Sequence, residues 1–156
     1  MSIEDDIAFL GRIPTLALLG RDALRILAIG AENRYVHDGD VLFREGEQAD
    51  GGYVIQEGAF RLTSRHISPG LEPITVGPGT LLGELALLTG TVRPATATAV
   101  EPSSVIRVPR TLFMKMLESF PDAARRLRKM IADRADQAME DIRSVRPVLD
   151  IAEDGR

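Results

Sequence analysis

The sequence predicts a mainly β domain of the sandwich, barrel or jelly-roll kind, flanked by helices on both sides. Three observations carry this. Short runs rich in β-branched and aromatic residues crowd the middle of the chain, among them 41-VLFRE-45, 53-YVIQE-57, 59-AFRLTS-64, 73-PITV-76 and 104-SVIRV-108. Glycines at 39, 46, 51, 52, 58, 70, 77 and 79 separate them at a turn-like density. Apolar residues at three- and four-residue spacing appear before and after this stretch but not inside it, so strands and helices do not alternate as in a parallel α/β fold.

The elements fall into one domain over residues 1–146. Residues 1–35 form an N-terminal helical segment, with one helix near Ile3–Leu10 and another carrying Leu24, Leu27, Ala28 and Ala31. Gly11, Pro14 and Gly20 break the chain between them. Residues 34–109 form the β region. Residues 110–146 form the C-terminal helices, the first with Leu112, Phe113, Met116 and Leu117 on one face. A second starts at Pro121-Asp122, a proline that needs no N–H and a carboxylate that suits the positive helix end. Its stripe is Leu127, Ile131, Ala135, Ala138, Ile142 and Val145, and Pro147 is expected to end it, leaving a disordered tail over 147–156. A helix of roughly 25 residues is about 37 Å long at 1.5 Å per residue, more than a domain of this size covers. A homodimer through this helix is expected; the alternative is that it folds back on its own domain.

Composition narrows the function. The chain has 156 residues, 44% hydrophobic and 27% charged, enough for a real core. It has no cysteine, which excludes disulfides, thiolate metal sites and cysteine nucleophiles. Its two histidines, His37 and His66, belong to no metal-ligand pattern, so no metal and no cofactor is expected. No set of nucleophile, base and orienting residue is present, and the chain reads as a non-enzyme. With net charge −4 and a basic run 125-RRLRK-129 followed by acids, no nucleic-acid contact by this chain is expected. No apolar run spans a bilayer, and the acidic start MSIEDDIAFL is unlike a leader; the expectation is a cytoplasmic protein that engages no membrane.

One stretch, 81-LLGELALLTGTVRPATATAV-100, places Glu84 and Arg93 in an apolar setting. A short helix starting near Gly83 offers free N–H donors, and the planar fork of Arg93 can hold two phosphate oxygens. Glu84 then suits a hydroxyl, as on a ribose. One carboxylate and one guanidinium in an apolar pocket match a sugar phosphate. The alternative is a structural Glu84–Arg93 salt bridge in the core.

The stretch 45-EGEQADGGYVIQEGAFRL-62, with Gly46, Asp50, Gly52, Tyr53, Ile55 and Gly58, resembles the strand–turn–strand signature of the cyclic nucleotide-binding domain family. The stretch 77-GPGTLLGELALLTG-90 followed by 93-RPATA-97 is similar to that family's phosphate-binding cassette. The family is the sensor module of catabolite-activator-type regulators, cyclic nucleotide-gated channels and protein kinase A regulatory subunits. The resemblance implies an antiparallel β jelly roll (a double-stranded β-helix) with N-terminal helices and a long C-terminal helix. It implies Glu84 on the ribose 2′-hydroxyl, Arg93 on the cyclic phosphate, and the N–H groups of Gly83, Leu85 and Ala86 nearby. It also implies Leu62, Ile74 and Val76 as the apolar wall beside the base, where plain core is the other reading. Pro94 and Ala95 complete the cassette, and here the chain departs from the pattern. The family commonly has Pro-Arg followed by Ser, Thr or Ala, and the residue after the arginine offers its N–H to phosphate; Pro94 has none. Weaker binding follows, leaning to cyclic AMP over cyclic GMP because the hydroxyl that can favour guanine is missing. Arg134 shares the face of Leu127, Ile131 and Ala138. By itself it reads as a snorkelling arginine that pairs with an acid; by the resemblance it is a lid over the base. The expected function is a stand-alone sensor signalling through its last helix to an unknown downstream protein. The alternative is a degenerate module that dimerises or docks without nucleotide.

Overall fold

The computed structural model describes residues 2–65 and 73–154, with side chains described to residue 137. Helix α1 (Ile3–Leu10) starts on a capping box: the Ser2 hydroxyl accepts from the Asp5 N–H, and the Ser2 N–H donates to the Asp5 carboxylate. Pro14 does not simply break the chain. It takes the first position of a short helix, α2 (Pro14–Ala17), where its missing N–H costs nothing. Helix α3 (Arg21–Gly30) buries Ala23, Leu24, Leu27 and Ala28, the face that the spacing predicts.

The strands are β1 (Glu32–Val36), β2 (Val41–Phe43), β3 (Gln48–Ala49), β4 (Gly51–Glu57), β5 (Phe60–Thr63), β6 (Ile74–Val76), β7 (Leu81–Leu82), β8 (Thr91–Val92), β9 (Thr96–Ala99) and β10 (Ser103–Pro109). They form two four-stranded sheets, β1-β10-β4-β7 and β2-β9-β5-β6, and a two-stranded ribbon β3-β8, with every pair antiparallel. This is the jelly roll. Its first strand begins at Glu32, inside the segment expected to be helical, because β1 pairs with β10 from Glu32↔Arg107 to Val36↔Ser103.

Two cores explain the strand patterns. Between the sheets lie Val36, Phe43, Tyr53, Ile55, Phe60, Leu82, Ala97, Ala99 and Val105. On the other side of the first sheet, Val54, Ile106 and Val108 meet Leu10, Leu16, Leu27, Phe113, Met116 and Leu127 from the helices. Strand β4 therefore buries both faces, Tyr53 and Ile55 inward and Val54 toward the helices, and it loses the polar alternation of a half-exposed strand.

Helix α4 (Arg110–Ser119) buries Phe113 and Met116. Helix α5 (Pro121–Asp154) has 34 residues, about 51 Å at 1.5 Å per residue. It does not end at Pro147, so the expected tail is helical backbone as far as Asp154, and residues 155–156 lie outside the described ones. An interior proline removes its own donor and crowds the preceding turn, but the hydrogen bonds of neighbouring turns can carry the helix past it. The helix buries Ala123 and Leu127 against the domain; Ile131 and Ala135, next on the same stripe, are exposed.

Candidate functional site

Strand β7 pairs with β4, Leu82 opposite Tyr53, and delivers the chain to Gly83. There φ is +84°, and a Cβ would sit 2.4 Å from Arg93 Nη1 and 3.1 Å from the Gly51 carbonyl oxygen. Only glycine fits this turn, since any side chain would collide with the guanidinium as well as strain the backbone. Glu84 follows, then a 3-10 turn over Leu85–Leu87 that buries Ala86 and Leu87 and leaves Leu85 exposed. The chain returns along β8, which pairs with β3. Arg93 is fixed by its backbone: its N–H donates to the Glu47 carbonyl (2.8 Å) and its carbonyl accepts from the Gly46 N–H (2.9 Å). From the start of α4, Arg110 donates to the carbonyls of Ala49 and Thr89, both at 3.0 Å, and so ties this loop to the helical layer.

The result is a cavity of about 310 Å³ whose walls are mostly apolar. Gly83, Glu84, Leu85, Ala86, Arg93, Pro94, Ala95 and Leu62 all line it, joined by Phe43, Leu82, Thr91 and Val92. Arg93 is only 4% exposed, and its Nη1 has no hydrogen-bond partner. Its guanidinium carbon lies 4.5 Å from the Phe43 ring centroid and 5.4 Å from that of Tyr53. Burial pulls its pKa down against the field of Tyr53, Asp50 and Glu47. An arginine nonetheless stays charged in a protein. The nearby carboxylate of Asp50 is bonded to Arg107 at 2.8 Å.

Glu84 does not pair with Arg93, so the core salt bridge is not formed. Thr15 Oγ1 of α2 donates to Glu84 Oε2 at 2.9 Å. Arg134 Nη1 of α5 donates to Glu84 Oε1, and Arg134 Nη2 reaches Thr15 Oγ1 at 3.4 Å. Glu84 thus faces the helical layer while Arg93 turns in against the aromatic rings. The carboxylate joins three elements far apart in sequence. Both members of the ion pair are partly exposed, and such a pair contributes about 0–1 kcal/mol.

Not every residue implied for the site comes together. Ile74 is 60% exposed on β6 and Val76 packs on the inter-sheet core; neither lines the cavity. The Ala86 N–H donates to the Gly83 carbonyl at 3.0 Å, within the 3-10 turn. Arg134 reaches the site through Glu84 and is not part of the cavity wall. Sequence reasoning missed Phe43, Tyr53 and Thr15. Phe43 was visible as the aromatic residue of 41-VLFRE-45; nothing in the sequence marks Thr15. Among the described residues, no group of three or more His, Asp or Glu could hold a metal ion, and no helix is long and apolar enough to cross a membrane.

The chain is thus a jelly-roll domain that holds a buried arginine and a helix-linked glutamate at one apolar cavity. The sequence model of the cyclic nucleotide-binding domain matches residues 33–120, and the chain belongs to that family. A cyclic nucleotide-binding-like protein from Brucella abortus is 40% identical, with a TM-score of 0.64 over 73% of this chain and 98% of its own. The N-terminal domain of a transcriptional regulator from Streptomyces coelicolor is 28% identical, with a TM-score of 0.76 over 86% of this chain and 94% of its own. The lysophospholipase nte1 of Neurospora crassa is 32% identical over 107 residues, 68% of this chain. The chain spans about 7% of the length of the curated relatives it matches.

Proposed function

We propose that this domain is a non-catalytic cyclic nucleotide sensor, with cyclic AMP bound ahead of cyclic GMP. Arg93 takes the cyclic phosphate, since a guanidinium fork matches two phosphate oxygens and a charge-assisted bond is about twice as strong as a neutral one. Glu84 takes the ribose hydroxyl. A carboxylate offers about four lone-pair sites, and Thr15 and Arg134 use two, so a ribose hydroxyl can bond Glu84 before the Arg134 contact is released. Leu62 borders the base, and Gly83, Leu85, Ala86, Pro94 and Ala95, which line the same cavity, surround the phosphate. The observation that carries the reading is the buried, unpartnered Arg93 Nη1 beside a cavity at the lower end of small-ligand size.

Helix α5 carries the signal through Arg134. Its bond to Glu84 is weak enough to exchange, so the arginine can leave the carboxylate and close on the base, drawing α5 with it. A second copy of the chain covers the exposed Ile131 and Ala135 of α5. Light scattering on the purified protein should give the dimer mass, and a monomer at micromolar concentration rejects that part. The location is cytoplasmic, and the downstream partner is a protein.

Pro94 favours a second reading, a module that docks or dimerises without nucleotide, because it removes the N–H that would meet the phosphate. Calorimetric titration with cyclic AMP and cyclic GMP separates the two. Saturable binding with cyclic AMP tighter supports the sensor; no heat with either nucleotide at millimolar concentration supports the docking module.

A further inference from the structure

An arginine that must bind an anion has to stay charged and oriented while keeping donors free. The usual way to hold a buried guanidinium is a carboxylate, which then competes with the ligand. Here Glu84 is held by Thr15 and Arg134, and Asp50 by Arg107. On the side chain of Arg93 the close neighbours are rings instead. Phe43 lies under the guanidinium at 4.5 Å, Tyr53 stacks beside Phe43 at 5.9 Å and 29°, and the bare backbone of Gly83 leaves room for Nη1, which a Cβ there would meet at 2.4 Å. An aromatic face attracts a cation and accepts none of its directed hydrogen bonds. We propose that Phe43, backed by Tyr53, is the positioning residue for Arg93, a ring platform that holds the guanidinium charged and in place with Nη1 unspent for the ligand anion. Phe43 lines the cavity and is itself buried, so the ring is fixed by the inter-sheet core and cannot follow the arginine if it moves.

This proposal rests on the sensor reading for its ligand, but the platform can be tested without one. In the nucleotide-free protein, a double-mutant cycle of Phe43→Leu and Arg93→Ala, read by urea unfolding, isolates the ring–guanidinium coupling, since alanine makes no new contact with the ring. The unfolding equilibrium constant should rise roughly three- to thirtyfold more for Phe43→Leu in the Arg93 background than in the Arg93→Ala background. A coupling within twofold of unity overturns the platform, whatever the protein binds. With nucleotide, Phe43→Leu should weaken cyclic AMP by a similar factor, and Phe43→Tyr, which keeps the ring, should restore most of it. If Phe43→Leu does not fold, Phe43→Met takes its place in both arms. A parent that binds no cyclic nucleotide rejects the sensor reading while the cycle still decides the platform. Binding unchanged in a folded ringless variant rejects the platform while leaving the sensor intact.

Discussion

Arg93→Met tests whether the arginine is kept for a ligand at the expense of stability. In the free protein Arg93 is a buried charge with an unpartnered Nη1. Leaving one buried donor unmade costs about 1–3 kcal/mol. Attraction to the rings of Phe43 and Tyr53 returns about 0.5–2 kcal/mol. Methionine has similar length and no charge, and its sulfur gains about 0.3–1.5 kcal/mol against aromatic rings. The balance predicts that Arg93→Met raises the stability of the ligand-free protein by about 1 kcal/mol, or roughly 2–4 °C in Tm for a domain of this size. The same variant should lose cyclic AMP by at least about a hundredfold, because it forfeits two bonds to a charged phosphate. Urea unfolding with and without nucleotide reads both effects. At one hundred times its Kd, cyclic AMP should add about 2.7 kcal/mol to the parent and no more than about 0.4 kcal/mol to the variant. A variant destabilised by more than about 1 kcal/mol at unchanged m-value would mean that Arg93 is a structural residue after all. Nucleotide stabilisation retained in the variant would remove Arg93 from the site.

Two further outcomes follow from the geometry. Pro94→Ala and Pro94→Ser each return an N–H beside the phosphate position and should tighten cyclic AMP about ten- to hundredfold, with the serine also narrowing the preference against cyclic GMP; weaker binding by both in calorimetry means that the rigid ring of Pro94 aims Arg93. Arg134→Ala removes the side chain proposed to leave Glu84 and close on the base, and should weaken cyclic AMP several-fold while blunting the nucleotide-induced change in hydrogen exchange over residues 121–145. A full exchange response in that variant would detach Arg134 from signalling.

Much of the architecture follows from local pattern. Leu24, Leu27 and Ala28 announce the buried face of α3 by their spacing, and Pro121-Asp122 announces the start of α5. The strands of three or more residues within 41–45, 53–57, 59–64, 73–76 and 104–108 were readable because alternation or apolar density persists long enough to register. Strands β3 and β8 were not, because two residues carry no period, yet their pairing sets where Arg93 stands. Pro147 misled because a helix stop signal reports a local cost that the neighbouring turns can offset.

For the site, the sequence by itself determined which groups are present: one acid and one arginine in an apolar cassette, a glycine before them, and a proline that removes a donor. Their partners were decided by the tertiary structure alone. Thr15 lies 69 positions before Glu84 and Arg134 lies 50 after it, and no periodicity links residues so far apart. Whether two opposite charges meet depends on which layer each side chain enters. The sheets send Arg93 against the rings of Phe43 and Tyr53, while the turn at Gly83 sends Glu84 toward α2 and α5. That divergence, set by the packing of two sheets against one helical layer, is why Glu84 does not pair with Arg93.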